Sequence, residues 1–299
     1  MKIAVFTKNL SNPAYAAARL GAERAAAAFG ATVEHFVPTL ADDADQQIEL
    51  VRLALAGAPD AVVFTPVHAS KLDAAIASIH AAGIPVFGFV NRMKPGQCLS
   101  YVGSADGALA ANIAEHLFAH LQGRGDVVIV EGPADSVTSI ERVQAFDAAT
   151  ARHPGIRIIG RCSGGYQREP ARQAFAALLA EQPRIDGVLA ANDIMAIGVL
   201  DALQAAGRST AVVGVNAIPQ AIDAIRSGAM LATADFNAML MCHLATECAI
   251  RHLRGQAVPA EIELPVAIVD RSNAPLWDLP YAQRTLTTLK DHAPCAVAP

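Results

Sequence analysis

Shifted by 126 residues, the chain lays its apolar segments on top of one another. Ile3 falls on Ile129, Val33 on Ile159, Val62 on Val188 and Val86 on Val212. Random apolar runs would rarely keep one offset over four elements, so the sequence reads as one supersecondary pattern written twice. Short apolar strands are expected at 2–7, 32–37, 61–65 and 86–90, then at 126–130, 157–161, 187–190, 211–215 and 231–234. Amphipathic helical stretches separate most of them. That alternation predicts an α/β fold, with parallel sheets covered by helices on both faces.

A helix over 238–253 and a strand over 261–269 are surplus to the repeat. They are expected to cross back and complete the first half. From about Asp270 the chain is Pro-rich and irregular. The length of 299 residues suits two domains of roughly 120–150 residues each. No linker is marked by composition, which favours tight hinge strands over a flexible tether.

Composition narrows the function classes. Hydrophobic residues make up 53% of the chain and charged residues 17%, which excludes a disordered polypeptide. The net charge is −5 with no Lys/Arg cluster, so a nucleic-acid partner is not expected. No apolar run is long enough to span a bilayer. Met1-Lys2 leads directly into the first strand, so either the protein is cytoplasmic or a signal segment lies outside this numbering. The five cysteines show no C-x-x-C spacing and are expected to be free, buried thiols.

In open parallel sheets, ligands bind beyond the carboxyl ends of the strands. Those positions are polar here: Thr7 to Asn12 after the first strand, Thr65 after the third, Asn91 and Arg92 after the fourth. The second half offers Glu131, Asn192-Asp193, Asn216 and Asp235-Phe236-Asn237. Amides and guanidinium groups at two such rims suit a ligand dense in hydroxyls, and Tyr15 and Phe236 could stack on its C–H faces. Asn, Asp and Ser at strand ends also serve as turn and helix-capping residues, and an Arg there can form a surface ion pair.

Enzyme signatures are missing: there is no G-x-x-x-x-G-K-[ST], G-x-S-x-G, H-E-x-x-H, or G-x-G-x-x-G after the first strand. His116 and His120 share a helix face but have no third ligand beside them, so a solvated face is expected rather than a metal site. No catalytic residues, metal or cofactor are expected.

Several motifs occur in a familiar order. Leu10-Ser11-Asn12-Pro13 is followed by Ala82-Gly83-Ile84-Pro85-Val86, Asn91-Arg92, Glu131-Gly132-Pro133, Glu141-Arg142 and Phe146. Then come Ala190-Ala191-Asn192-Asp193, Val213-Gly214-Val215-Asn216 and Leu231-Ala232-Thr233. To about residue 269 the chain resembles the type I periplasmic sugar-binding proteins, the ribose-binding-protein family that serves ABC transporters. The resemblance implies two Rossmann-like domains joined by three hinge strands, near Gly103-Ser104, Asp235-Phe236 and Leu264-Pro265. The lobes would then be 1–103 plus 237–264, and 104–236 plus 265–299. Carried over by position, the ligand-binding residues are Lys8, Asn12, Tyr15, Thr65, Asn91, Arg92, Arg142, Asn192, Asn216 and Phe236.

The same resemblance implies a periplasmic monomer that closes around a small hydroxylated ligand and is recognised by a membrane permease. The alternatives are the ligand-sensing domain of a lac-repressor-type regulator, or a periplasmic sensor for a kinase or chemoreceptor. Departures from the ribose pattern argue against ribose itself. Ala14 and Val215 stand where the family places aromatics, Asn91 and Asn216 where it places carboxylates, and Phe236 where an amide is common. Three site cations, Lys8, Arg92 and Arg142, then lack their carboxylates. Either Asp193 or Asp235 offsets them, leaving a neutral sugar or polyol as ligand, or a sugar acid brings the charge itself.

Overall fold

The computed structural model describes residues 1–292, and the chain divides into two compact units. The first contains Met1–Ser104, Asn237–Leu264 and the stretch 280–292; the second contains Ala105–Phe236 and Pro265–Leu279.

The first unit begins β1 (Lys2–Phe6), α1 (Pro13–Phe29), β2 (Thr32–Phe36), α2 (Ala44–Ala56), β3 (Ala61–Phe64), α3 (Asp73–Ala81), β4 (Val86–Phe89) and β5 (Ser100–Gly103). The second follows with α4 (Asp106–His120), β6 (Gly125–Glu131), α5 (Val137–Ala151), β7 (Ile156–Ser163), α6 (Arg168–Glu181), β8 (Gly187–Ala190), α7 (Asp193–Ala205), β9 (Ala211–Val215), α8 (Pro219–Ser227) and β10 (Ala232–Asp235). The chain returns to the first unit with α9 (Ala238–Leu253) and β11 (Glu261–Glu263), adds β12 (Ala267–Asp270) to the second, and ends its described part with α10 (Leu289–His292).

The sheet of the first unit runs β11-β5-β4-β3-β1-β2, all parallel; that of the second runs β12-β10-β9-β8-β6-β7, with β12 antiparallel to β10. The repeat is visible in the pairing. Val62 opposes Val86, and Val188 opposes Val212, each pair 126 residues from its counterpart. The offset drifts elsewhere. Ile3 pairs with Ala61 whereas Val127 pairs with Gly187, so the structural counterpart of Ile3 is Val127 and not Ile129.

The central strands, β1, β3 and β4 in one sheet and β6, β8 and β9 in the other, are buried on both faces, so they read as unbroken apolar runs rather than alternating ones. Phe6 stacks on Phe36 and tilts against Phe64, with ring centroids 5.0 Å apart in each case. Each unit also has a close helix crossing at a glycine. A Cβ on Gly21 of α1 would lie 2.1 Å from the Met239 carbonyl oxygen of α9, and one on Gly198 of α7 would lie 2.2 Å from that of Arg168 in α6. Gly21 interrupts an Ala-rich helix because the α9 backbone occupies the space of its side chain.

Three expectations need correction. The sequence from 261 to 269 forms two strands in different sheets, because Pro265, which lacks an N–H, falls where the chain crosses between units. The tail does not stay wholly with the second unit: from Pro280 on, the described residues join the first. There Glu247, buried in α9, accepts the Leu289 amide at 2.8 Å, and Arg24 donates to the Arg284 carbonyl at 2.6 Å. Four free cysteines are described, of which Cys242 and Cys248 are buried but Cys98 and Cys162 only half-buried; Cys295 lies outside the described residues. No described helix is long and apolar enough to cross a membrane.

Candidate functional site

In the first unit, the loops after β1 and β2 are knitted by one aspartate. Asp42 stands at a left-handed φ of 57°, donates its amide to the Lys8 carbonyl, and places Oδ1 3.0 Å from Lys8 Nζ. Its other oxygen accepts from Asn9 Nδ2 at 2.9 Å. Lys8 is 1% exposed, so its charge is held inside by Asp42 rather than turned to solvent. Asn9 Oδ1 accepts the Asn12 amide, and Asn12 Oδ1 caps α1 by accepting from the Ala14 amide at 3.0 Å. Asn12 thus has a capping role whatever else it does. Tyr15, buried in the first turns of α1, follows it.

Beyond β3 and β4 a second cluster forms. Gln47 spans the turn after β3, donating to the Thr65 carbonyl and accepting the Val67 amide, both at 3.0 Å. Asn91 donates its amide to Thr65 Oγ1 at 3.4 Å and its Nδ2 to the Pro66 carbonyl at 2.8 Å. A carbonyl can only accept, which fixes the orientation of the carboxamide and leaves Asn91 Oδ1 buried with no protein partner. Val90, just before it, has φ 60°, a costly conformation for a β-branched residue, and its carbonyl is held by the Tyr101 hydroxyl at 2.6 Å. Arg92 turns the other way: it is exposed, lies 4.5 Å over the Tyr101 ring, and pairs with Glu261 at 2.5 Å. The structure therefore groups Lys8, Asn12, Thr65 and Asn91 at the strand ends, and gives Arg92 a surface ion pair.

In the second unit Arg142 is the centre. It is 3% exposed and reaches Asp106 Oδ1 from Nε at 2.7 Å and from Nη2 at 2.6 Å. Its Nη1 donates to the Ala191 carbonyl at 2.8 Å, and its guanidinium carbon lies 5.5 Å from the Phe236 ring centroid. Asn192, next to Ala191, caps α7 by accepting the Met195 amide at 2.9 Å. Beyond β9, Asn216 and Ala217 have φ of 129° and 51°, and Asn216 Oδ1 is again buried without a protein partner.

The three cations are balanced by carboxylates that the sequence did not point to. Lys8 has Asp42, Arg92 has Glu261 and Arg142 has Asp106, each inside its own unit. Asp193 and Asp235 are engaged elsewhere. Asp193 accepts from Thr233 Oγ1 and the Ile218 amide, and Asp235 accepts from Trp277 Nε1 at 2.7 Å.

Sequence reasoning also missed Tyr166. This buried tyrosine follows β7 at φ 61°, lies against Gly132 so closely that a Cβ there would be 2.4 Å from its ring, and contacts Thr138 Oγ1 through its hydroxyl at 3.2 Å. An aromatic between Gly165 and a polar helix start at the end of a strand is the signal that could have found it. His116 lies 3.9 Å from Asp270 and His120 is exposed; no metal-binding group of side chains occurs among the described residues.

The second unit also has a cavity of about 590 Å³ at the opposite, amino-terminal edge of β9 and β10, lined by His120, Gln204, Arg208 and Arg271 among others. Arg208 there donates to the Leu179, Gln182 and Pro183 carbonyls, closing the end of α6.

A strand-end rim rich in amides, on a doubly wound and mostly parallel sheet present twice, is the arrangement of the two-domain solute-binding proteins. Residues 3–257 match the family model described as the periplasmic binding protein domain, and the chain belongs to that family. It is 31% identical to a D-ribose/D-allose-binding protein of Pseudomonas aeruginosa over 241 residues, 76% of this chain and 75% of that one. It is 27% identical to a xylitol-binding protein of Mycolicibacterium smegmatis, over 72% of this chain and 62% of that protein's length. The fold superposes with a TM-score of 0.86 on an ABC-transporter solute-binding protein of Actinobacillus succinogenes with bound D-allose, at 28% identity over 92% of this chain and 99% of that one. The same score relates it to a solute-binding protein of Mycobacterium smegmatis with bound glycerol, at 27% identity over 92% and 96% of the two chains.

Proposed function

We propose that this protein binds an uncharged sugar or polyol outside the cytoplasm and delivers it to an ABC-transporter permease. The observation that carries the reading is chemical. Among the described residues, each unit holds one side-chain amide oxygen that is buried and unpartnered, Asn91 Oδ1 in the first and Asn216 Oδ1 in the second. A buried acceptor without a donor costs free energy, and a ligand hydroxyl would remove that cost. The neighbouring cations already have carboxylate partners, so a ligand carboxylate finds no unbalanced charge to neutralise. Lys8, Asn12, Tyr15, Thr65, Asn91, Arg142, Asn192, Asn216 and Phe236 are the residues assigned to ligand contact, with Tyr166 added. The relatives named for ribose, allose and xylitol support the ligand class.

A thermal-shift and calorimetric series with D-ribose, D-allose, xylitol, glycerol and the aldonic acids of the two sugars tests this. At a hundredfold excess over Kd, a ligand adds about 2.7 kcal/mol to apparent stability. A response to at least one neutral compound and none to the acids is expected. Tightest binding to an acid would overturn the reading. The ligand-dependent interaction with a permease is tested by transport in vesicles carrying the cognate transporter.

A further inference from the structure

Asn216 is held in place by residues that are themselves fully buried, Asp193, Thr233 and Ala234. It stands at φ 129° and Ala217 at 51°, two consecutive non-glycine residues in the left-handed region. Such a pair persists only where the surroundings over-determine it. Three bonds do so. The Asn216 amide donates to the Ala234 carbonyl at 2.8 Å, the Ala217 amide to Thr233 Oγ1 at 3.3 Å, and the Ile218 amide to Asp193 Oδ2 at 3.0 Å. Thr233 in turn donates to Asp193 Oδ1 at 2.7 Å. Asp193 is fully buried, and the sequence clears room for it: a Cβ on Gly214 would lie 2.3 Å from its Oδ1. A completely buried carboxyl group is costly, and this one is engaged with two of the three residues that follow β9, Ile218 directly and Ala217 through Thr233.

We propose that Asp193, acting with Thr233, is the positioning residue that sets Asn216 Oδ1 as a hydroxyl acceptor in the binding site. Its binding consequence rests on the function proposed above; its hold on the loop does not. Asp193 itself touches no ligand. Its carboxyl group fixes Ile218 directly and Ala217 through Thr233, and so sets the backbone that immediately follows Asn216.

The test has two parts. Amide hydrogen exchange on the ligand-free protein compares wild type with Asp193→Ala and Thr233→Val. Protection at Ala217 and Ile218 should fall at least tenfold, while Val188 and Val212 in the neighbouring strands keep theirs. Unchanged loop protection, or an equal loss everywhere, would overturn the proposal. Should Asp193→Ala not fold, Thr233→Val and Asp193→Asn decide the same point. Calorimetry with xylitol and D-allose as probes then compares Asp193→Ala, Asn216→Ala and the double variant, with Asn12→Ala as the independent partner. Asp193→Ala should weaken binding more than tenfold, and the double variant should bind no worse than Asn216→Ala. Additive losses would reject the coupling. If wild type binds neither probe, the sugar and polyol reading fails with them, while the exchange data still decide whether Asp193 holds the loop.

Discussion

Asp106 Oδ1 is approached by Arg142 twice, by Nε at 2.7 Å and by Nη2 at 2.6 Å, with both side chains only 4% exposed. A cation and a carboxylate this deep are each costly alone and tolerable together. Asp106 sits in the first turn of α4, where the helix dipole also favours negative charge.

Asp106→Ala is therefore expected to destabilise the unliganded protein by about 3–5 kcal/mol, because it leaves Arg142 buried without its counter-charge. Arg142→Ala should cost a similar amount for the converse reason, so it will not be silent in the absence of ligand. The apolar double variant Asp106→Leu with Arg142→Met should be more stable than either single one. Urea midpoints of the four proteins check this; a double variant less stable than both singles would contradict it.

Gly21 and Gly107 make a paired prediction about backbone approach. Gly21→Ala forces a methyl against the Met239 carbonyl and should lower stability by about 1–3 kcal/mol or more. Gly107→Ala lies in α4 and its new methyl meets nothing within 4 Å beyond its chain neighbours and its own helix, so it should be neutral or stabilising by up to about 1 kcal/mol. Thermal melts of the two variants should move in opposite directions or differ by several degrees.

Asn91→Leu keeps the branched shape of the side chain but removes its acceptor, together with the donor to the Pro66 carbonyl. Loss of one ligand hydroxyl bond to Oδ1 should weaken sugar or polyol affinity by about tenfold, with the enthalpy of binding reduced. A Kd equal to wild type for every compound that binds would remove Asn91 from the site.

Much of the fold can be read from the sequence because strand burial leaves a long-range imprint: the offset that superposes Val62 on Val188 is the register of the β3–β4 and β8–β9 pairs. The short β5 escaped because its four residues, Ser100–Gly103, lie among Gly, Pro and Ser without a clear apolar run. The candidate site was legible as a set of strand-end positions, not as a set of partners. Asp42 and Asp106 lie 34 and 36 residues from the cations they balance, and either aspartate taken alone reads as a turn or helix-start residue. Arg92 looked equivalent to Arg142, and the structure distinguishes them by partner and burial: Glu261 on the edge strand β11 for the exposed Arg92, Asp106 for the buried Arg142.

Asp193 gives the stability a pH dependence of unusual sign for an aspartate. Burial pushes its carboxyl up to about 7, against hydrogen bonds from Thr233 and Ile218 and the nearby Arg142 that pull it down, while Asp235 adds to the rise. In the unfolded chain the group returns to the ordinary value near 3.9. Below about pH 4 both states hold the proton. Between about 4 and 7 the unfolded chain releases it and the folded protein keeps it, so stability falls as pH rises through that window and levels off above it. His243, held neutral by burial, acts in the opposite sense: its imidazole must charge as pH falls through the ordinary histidine range, which costs stability on the acid side. The difference between wild type and Asp193→Asn removes the histidine contribution, since both proteins share it. That difference should shift against wild type by a few kcal/mol from pH 5 to pH 8. Urea midpoints at four pH values measure it, and parallel curves for the two proteins would show that Asp193 ionises in the folded state as freely as it does in the unfolded chain.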